Sequence, residues 1–261
     1  MSSVSVMTML TVSVSQVATR FSRAAKQYDE FASIQQRIAA DTCNFAGFGS
    51  QDEVLDIGCA SGRNTAQIAR QVTQVTGLDI ATGMITEAQR RYPHIPFVQG
   101  DAQALPFSNA RFSVVYSSMA LQWCASPGQV LSEIARVLRP GGRAVLAIML
   151  GGSFSELHQA RSAAGLADVV MPLPGAGNWI AAAQAQPFSF RHQCCQAYTD
   201  MFDGVVPLLR SISKVGAGSS VTPARAMTRR DLARLEAAWP KAEQGQLPLT
   251  YQVLHFTLEK V

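Results

Sequence analysis

The sequence predicts an α/β protein with a doubly wound, mostly parallel sheet of seven strands, of which the last is antiparallel. Two observations carry this prediction. Short apolar segments alternate with helical segments between residues 53 and 149, as expected for parallel strands joined by crossover helices. The first apolar segment, 53–57, also runs directly into a glycine-containing turn, the place where such sheets bind ligands.

The N-terminal segment, residues 1–19, is rich in Ser, Thr, Val and Met and has no basic region typical of a signal peptide. We predict a flexible extension there and a single domain over 20–261. A second helix is expected over about 33–46. The first helix is predicted by one apolar stripe at helical spacing, formed by Phe21, Ala24, Ala25, Tyr28 and Phe31.

The central part of the chain gives the regular alternation. Its last helix is stopped by Pro140 and two following glycines. The predicted strands are 53–57, about 74–79, 96–101, 111–118 and 142–149, and the helices between them are 61–71, 83–91 and 128–138.

The alternation ends after residue 152. Helical stretches and a Pro/Gly-rich loop at 172–177 separate a sixth strand at about 188–199 from a seventh at 249–258. We therefore expect a helical lid inserted after strand five, within the same domain. Its elements are predicted at about 151–187 and 203–245.

Composition limits the class of protein. With 48% hydrophobic and 15% charged residues, the chain is globular rather than disordered. A net charge of +4 without Lys/Arg runs does not favour nucleic acid, and no apolar run is long enough to span a membrane. Five cysteines without C-x-x-C spacing predict neither zinc nor disulfides, so we expect a cytoplasmic protein without a metal.

The turn after the first strand predicts a nucleoside site. Gly58 and Gly62 let the backbone approach a ligand closely, and Asp79 stands twenty-one residues after Gly58, where a carboxylate can bind a ribose diol. A dinucleotide fingerprint is excluded because Ala60 and Arg63 occupy the positions of its second and third glycines. No P-loop lysine follows either. The site therefore suits a nucleoside without phosphates.

These residues resemble the motifs of class I S-adenosylmethionine-dependent methyltransferases, with a Rossmann-like fold. Ala60 departs from the family, which usually has a glycine there, and an alanine is tolerated if its φ is negative. The resemblance implies that S-adenosylmethionine is the cofactor. The implied cofactor-binding residues are Tyr28, Asp56, Gly58, Cys59, Ala60, Gly62, Asp79, Ile80, Met84, Asp101, Ala102 and Ser117.

A narrower resemblance extends from about residue 20 to the C-terminus. The later segments are similar to the malonyl-acyl-carrier-protein O-methyltransferases of biotin biosynthesis, although Ser213 stands where a second basic residue is usual. The segments that carry the resemblance are Phe21–Tyr28, Leu121–Trp123, Gly152–His158, Arg210–Ala217, Ala238–Pro240 and Pro248–Tyr251.

This resemblance implies an in-line methyl transfer to a carboxylate, which is already ionised and needs no general base. Tyr28 is then expected over the sulfonium and Trp123 as an apolar wall beside the methyl group. His158, Arg210 and Lys214 are candidates to hold the malonyl group or the phosphopantetheine, and we expect one basic contact rather than a cluster. The positive net charge agrees in sign with an acidic carrier protein as partner.

Two other functions remain open on the sequence. A small-molecule C- or O-methyltransferase of the quinone type would share the sheet motifs and lack the lid segments. A cofactor-binding but inactive partner protein would also keep Asp56 and Asp79. The Asp/Asn-Pro-Pro-Tyr motif of amino-group methyltransferases is absent after strand four, where Ser117 to Cys124 stand instead.

Overall fold

The computed structural model describes residues 13–167, 173–215 and 227–261. The first twelve residues of the predicted extension, the start of the 172–177 loop and part of the second lid element lie outside the described residues. None of the described helices has the length and apolarity needed to cross a bilayer.

The sheet has seven strands in the order β3-β2-β1-β4-β5-β7-β6. The first five are parallel, and β7 runs antiparallel to both β5 and β6, which confirms the predicted topology. The strands are Glu53–Ile57 (β1), Gln74–Asp79 (β2), Phe97–Gln99 (β3), Phe112–Ser118 (β4), Leu138–Met149 (β5), Phe188–Phe202 (β6) and Leu247–Lys260 (β7).

Helices cover both faces of the sheet. Alternate residues of β1 point to opposite sides, so that Leu55 packs into one buried cluster and Val54 into another. Both faces are thus apolar, as in parallel sheets generally. The helices are Val14–Ala24 (α1), Tyr28–Phe31 (α2), Ser33–Ala46 (α3), Arg63–Ile68 (α4), Thr82–Arg91 (α5), Pro127–Val137 (α6), Ser155–Ala163 (α7), Ala176–Gln184 (α8), Val205–Lys214 (α9) and Arg229–Ala238 (α10).

The N-terminal region differs from the prediction. Helix α1 begins at Val14 because Ser13 caps it, with Gln16 completing a capping box. Residues 14–19 are therefore helical, although the sequence placed them in a flexible extension. The single helix predicted from Phe21 to Phe31 is also divided, since α1 ends at Ala24 and α2 starts at Tyr28.

The region predicted as a lid has two parts. Helix α8 buries Trp179 and Ala183 completely in the same cluster as α6 and the sheet, so it covers the sheet in the manner of a crossover helix. Helices α7, α9 and α10 instead pack around Tyr251 in a second cluster beside β5 and β7. This second part lies near the carboxyl ends of the parallel strands, since Met149 at the end of β5 belongs to the same cluster.

Candidate active site

The turn between β1 and α4 is fixed from both sides. The backbone N–H groups of Gly58 and Cys59 donate to the carbonyl oxygen of Leu78 at 2.7 and 3.0 Å. Below the turn, Thr65 Oγ1 donates to the buried Asp56 at 2.6 Å. Burial raises the pKa of Asp56 to about 7, the hydrogen bond from Thr65 opposes this shift, and the charge of Asp79 adds to it.

Three residues of this turn have left-handed backbone conformations. Gly58 has a φ of +76°, Ala60 a φ of +48° and Gly62 a φ of +81°. The sequence predicts that an alanine is tolerated at position 60 if its φ is negative. The φ of Ala60 is positive, so this condition is not met. A non-glycine residue in this region is strained by about 1–2 kcal/mol.

Asp79 is held by two backbone donors at the end of β2. The Ala60 N–H donates to Oδ2 at 2.9 Å and the Ala81 N–H donates to Oδ1 at 2.8 Å. Burial raises the pKa of Asp79, while these backbone hydrogen bonds favour its charged form. Each carboxylate oxygen keeps a further lone pair for a ligand, so the side chain can accept from two neighbouring hydroxyl groups.

A cavity of about 720 Å³ lies above these groups, and we call it the main cavity. Its walls are largely apolar, with the carboxylates of Asp79 and Asp101 as its acidic groups. Asp101 is itself oriented by the Gln103 N–H, which donates to Oδ1 at 2.8 Å. The lining also includes Val14, Val17, Phe21, Tyr28, Gly58, Ala60, Leu78, Ile80, Ala102, Leu121, Trp123 and Cys124.

Two smaller cavities adjoin the main cavity. The turn cavity, about 380 Å³, is polar and is lined by residues that include Gln35, Ser61, Arg63 and Asn64. The lid cavity has a volume of about 310 Å³ and is partly open to solvent. Tyr28 lines all three cavities. The lid cavity is lined by Phe21, Tyr28, Gln35, Met119, Gln122, Trp123, Met149, Phe154, Val215 and Tyr251.

Helices α1 and α2 close over the main cavity through polar contacts. Ser61 Oγ in the turn donates to both oxygens of Asp29 at 2.9 Å, and Arg91 forms an ion pair with the same carboxylate. The Gly83 N–H donates to Ser22 Oγ at 3.1 Å. The cavity is therefore covered by a strap, residues 14–31, that is tied to α5 and to the glycine turn.

The structure brings most predicted cofactor residues together. Tyr28, Gly58, Ala60, Asp79, Ile80, Asp101 and Ala102 line the main cavity, and Cys59 lines the turn cavity. Trp123, predicted as a wall beside the methyl group, also lines the main cavity. Four others lie behind these walls. Asp56 bonds Thr65, Met84 is fully buried, Ser117 Oγ donates to the Ile57 carbonyl at 2.8 Å, and Gly62 faces Phe97.

Several lining residues were missed by the sequence prediction. Ser118, rather than Ser117, reaches the main cavity, with Met119 beside it. Val14 and Val17 line the cavity from α1. Their spacing to Phe21 (i, i+3, i+7) is the helical signal that could have identified them.

The three predicted basic residues lie apart from the cavities. Arg210 and Lys214 are exposed on α9, and Lys214 Nζ donates to Gln27 Oε1 at 3.2 Å, next to Tyr28. His158 is partly buried on α7, where its backbone N–H donates to the Phe154 carbonyl at 3.2 Å. Among the residues that the structure describes, the lining of the lid cavity contains no Lys, Arg or His.

Comparison with known proteins identifies the family. Residues 55–146 match the family model described as a methyltransferase domain. A malonyl-acyl-carrier-protein O-methyltransferase of Pseudescherichia vulneris is 34% identical over 252 residues, which cover 94% of this chain and 96% of the relative. The chain belongs to this family. It is therefore a methyltransferase.

Other comparisons extend beyond this malonyl-acyl-carrier-protein O-methyltransferase family. The biotin biosynthesis bifunctional protein BioHC of Cellvibrio japonicus is 38% identical over 147 residues, or 56% of this chain and 29% of that protein. A solved methyltransferase structure from Bacillus halodurans superposes with a TM-score of 0.63 at 17% identity, covering 85% of this chain and 98% of the other. The second likeness shows the fold alone.

Proposed function

We propose that the protein transfers a methyl group from S-adenosylmethionine to the free carboxylate of malonyl-acyl-carrier protein, giving the methyl ester that begins pimeloyl and biotin synthesis. The observation that carries this proposal is that the lid cavity, whose described lining contains no Lys, Arg or His, shares residues with the main cavity. Its described lining suits a small acyl group. The family membership supports the same substrate.

The residues of the main and turn cavities fit the cofactor. Asp79 would accept from the two ribose hydroxyls, while Asp101 and the backbone of Ala102 would bind the adenine edge. Ile80 and Leu121 supply the apolar walls for the ring. The polar side chains of the turn cavity would hold the amino-acid end. When bound, S-adenosylmethionine supplies a methyl group on a positively charged sulfur.

The lid cavity would receive the malonyl group. A malonyl half-acid is ionised at neutral pH, so its carboxylate needs no base before it attacks. The mostly apolar lining removes water from the carboxylate, which favours a reaction in which two opposite charges neutralise one another. Tyr28 and Tyr251 are neutral at neutral pH, as tyrosines ordinarily are, and burial raises the pKa of each phenol further. We assign Tyr28 to the sulfonium side.

The basic residues are proposed to act outside the cavity. Arg210 and Lys214 lie on the exposed side of α9, and His158 on α7. In that position they suit the phosphate of the phosphopantetheine or the acidic carrier protein better than the malonyl carboxylate. Charge attraction of this kind speeds encounter more than it strengthens binding. The acyl carrier protein is thus the proposed partner, in the cytoplasm.

The proposal is tested with methyl-labelled S-adenosylmethionine and malonyl-acyl-carrier protein. We expect label to enter the carrier protein and to be released by base as methanol, the behaviour of a methyl ester. Acetyl-acyl-carrier protein, which has no free carboxylate, is the matched control and should stay unlabelled. Transfer to a quinol acceptor without transfer to malonyl thioester would instead favour the quinone-type alternative.

A further inference from the structure

The lid cavity poses a binding problem for a carboxylate. Its described lining contains aromatic and apolar side chains and two glutamines, without a cation. A buried carboxylate requires hydrogen-bond donors in place of the water it loses. The side-chain donors in the described lining are the phenols of Tyr28 and Tyr251, the amides of Gln35 and Gln122, and the indole of Trp123. Of these donors, the Trp123 indole is the one whose N–H is buried without a partner.

Trp123 has an unpaired donor. Its Nε1 is buried and makes no hydrogen bond within the described residues. By contrast, Trp239 Nε1 donates to the Pro248 carbonyl at 2.9 Å. The Trp123 ring is held at 70° to Phe21, with the ring centroids 5.8 Å apart. A buried N–H without a partner is rare enough in folded proteins to call for a ligand or an ordered water.

The position of Trp123 distinguishes it from the other unpaired groups. Trp123 lines both the main and the lid cavities, which places it between the proposed sites of the methyl donor and the acceptor. Trp179 Nε1 is also unpaired, but Trp179 is buried in the core under α8. Ser118 Oγ is unpaired and lines the main and turn cavities, but it does not line the lid cavity. His255 Nδ1 is unpaired in a residue that lines none of the three cavities. Gln122 lines the lid cavity and has an unpaired Oε1. That oxygen is an acceptor, which suits an amide N–H of the substrate arm rather than a carboxylate.

We propose that the Trp123 indole N–H donates a hydrogen bond to the non-attacking oxygen of the malonyl carboxylate, an inference that rests on the proposed function. The other carboxylate oxygen uses a lone pair to form the new O–CH3 bond. The C–S bond breaks, its electron pair returns to sulfur, and no proton moves. A neutral donor positions the anion and leaves it more nucleophilic than an ion pair with a lysine or arginine would. Trp123 is then a catalytic residue and more than an apolar wall.

Kinetics of Trp123→Phe give the first test. The variant keeps an aromatic ring and loses the N–H, so we expect kcat/KM for malonyl-acyl-carrier protein to fall about 10- to 100-fold, as for a lost hydrogen bond to a charged group. Trp239→Phe is the matched control, since it removes an indole N–H that bonds the backbone, and its kcat/KM should stay near wild type. A Trp123→Phe value within twofold of wild type would overturn the assignment.

The second test observes the hydrogen bond directly. The protein, labelled with ¹⁵N in its three tryptophan indoles, is saturated with S-adenosylhomocysteine and then titrated with malonyl-acyl-carrier protein. The Trp123 N–H signal, assigned through Trp123→Phe, should move downfield while that of Trp239 stays in place. An unmoved Trp123 signal, in a protein that does methylate malonyl thioester, would refute this inference alone. Failure of the wild type to methylate malonyl thioester would refute the proposed function.

Discussion

The two halves of the site, the main cavity and the lid cavity, are built in different ways. The main cavity lies on the ends of β1, β2 and β4, and its polar groups are carboxylates fixed by backbone N–H groups, such as Asp79. The lid cavity collects side chains from Phe21 to Tyr251, across most of the chain. Its described lining carries no formal charge.

This difference assigns separate tasks to the halves. Charged acceptors in the main cavity suit the hydroxyl and amino donors of a nucleoside, and they are oriented by backbone N–H groups. Neutral walls in the lid cavity suit an acyl group whose own charge must stay reactive. The strap joins the halves, because Phe21 and Tyr28 line both.

The largest effect is expected in the main cavity, from Asp79→Asn. Replacing the charged acceptor should weaken S-adenosylhomocysteine binding by about 100-fold, since hydrogen bonds to a charged group contribute about 1.5–3 kcal/mol. Calorimetric titration measures this. Asp203→Asn, an exposed change whose carboxylate bonds Gln246, is the control. A dissociation constant within threefold of wild type for Asp79→Asn would remove Asp79 from the cofactor site.

The strap provides the next test, through Asp29→Asn. This change removes the ion pair with Arg91 and weakens the hydrogen bond from Ser61, so the strap should open more often. We expect S-adenosylhomocysteine to dissociate about tenfold faster, which corresponds to about 1.4 kcal/mol. Stopped-flow fluorescence follows the dissociation. The neighbouring exposed Glu30→Gln should leave the rate unchanged, and equal rates for all three proteins would show that the strap does not control exchange.

Asp56 tests whether a carboxyl group buried under the main cavity lowers the free energy of unfolding as pH rises. Because its pKa rises from 3.8 to about 7 on folding, the folded state holds a proton that the unfolded state releases, and stability is lost as pH rises between these values. Asp56→Asn removes this loss. The difference in free energy of unfolding between Asp56→Asn and wild type should therefore shift in favour of the variant by up to about 1.4 kcal/mol from pH 5 to pH 6. Urea unfolding at both pH values measures it, and a constant difference would contradict the shifted pKa.

The smallest effect concerns Ala60. Since its φ is +48°, Ala60→Gly should relieve strain and stabilise the protein by about 1 kcal/mol. Ala66→Gly, in the middle of α4, should destabilise it by about 0.5–1 kcal/mol, because glycine loses more entropy in a helix. Urea unfolding of both variants gives the comparison. Destabilisation by both would show that the turn stores no strain at this position.

The sheet and the main cavity were predictable because their signals are local. The strand from Glu53, the turn glycines and Asp79 each follow from short patterns, and parallel strands place their ends together whatever the loops contain. Asp56 and Ser117 were placed in the site by the same patterns. The structure puts them behind the cavity walls, since a motif marks the position of a turn and not the direction of each side chain.

The lid side was less predictable because it depends on contacts between distant residues. Nothing local shows that Trp179 packs into the sheet core or that Val215 reaches a cavity beside Tyr28. Val14 was missed because hydroxyl residues interrupt the apolar spacing of its segment. The sequence also does not show that the Trp123 N–H is unpaired, and it led us to interpret this tryptophan as an apolar residue.

The central claim is that one cavity supplies the methyl group and the adjoining one presents a malonyl carboxylate to it. The most direct measurement is the intact mass of malonyl-acyl-carrier protein after incubation with the protein and S-adenosylmethionine. The account predicts a gain of one methyl group for each S-adenosylhomocysteine formed, and no gain on acetyl-acyl-carrier protein. An unchanged mass, with the cofactor bound to the protein, would contradict it.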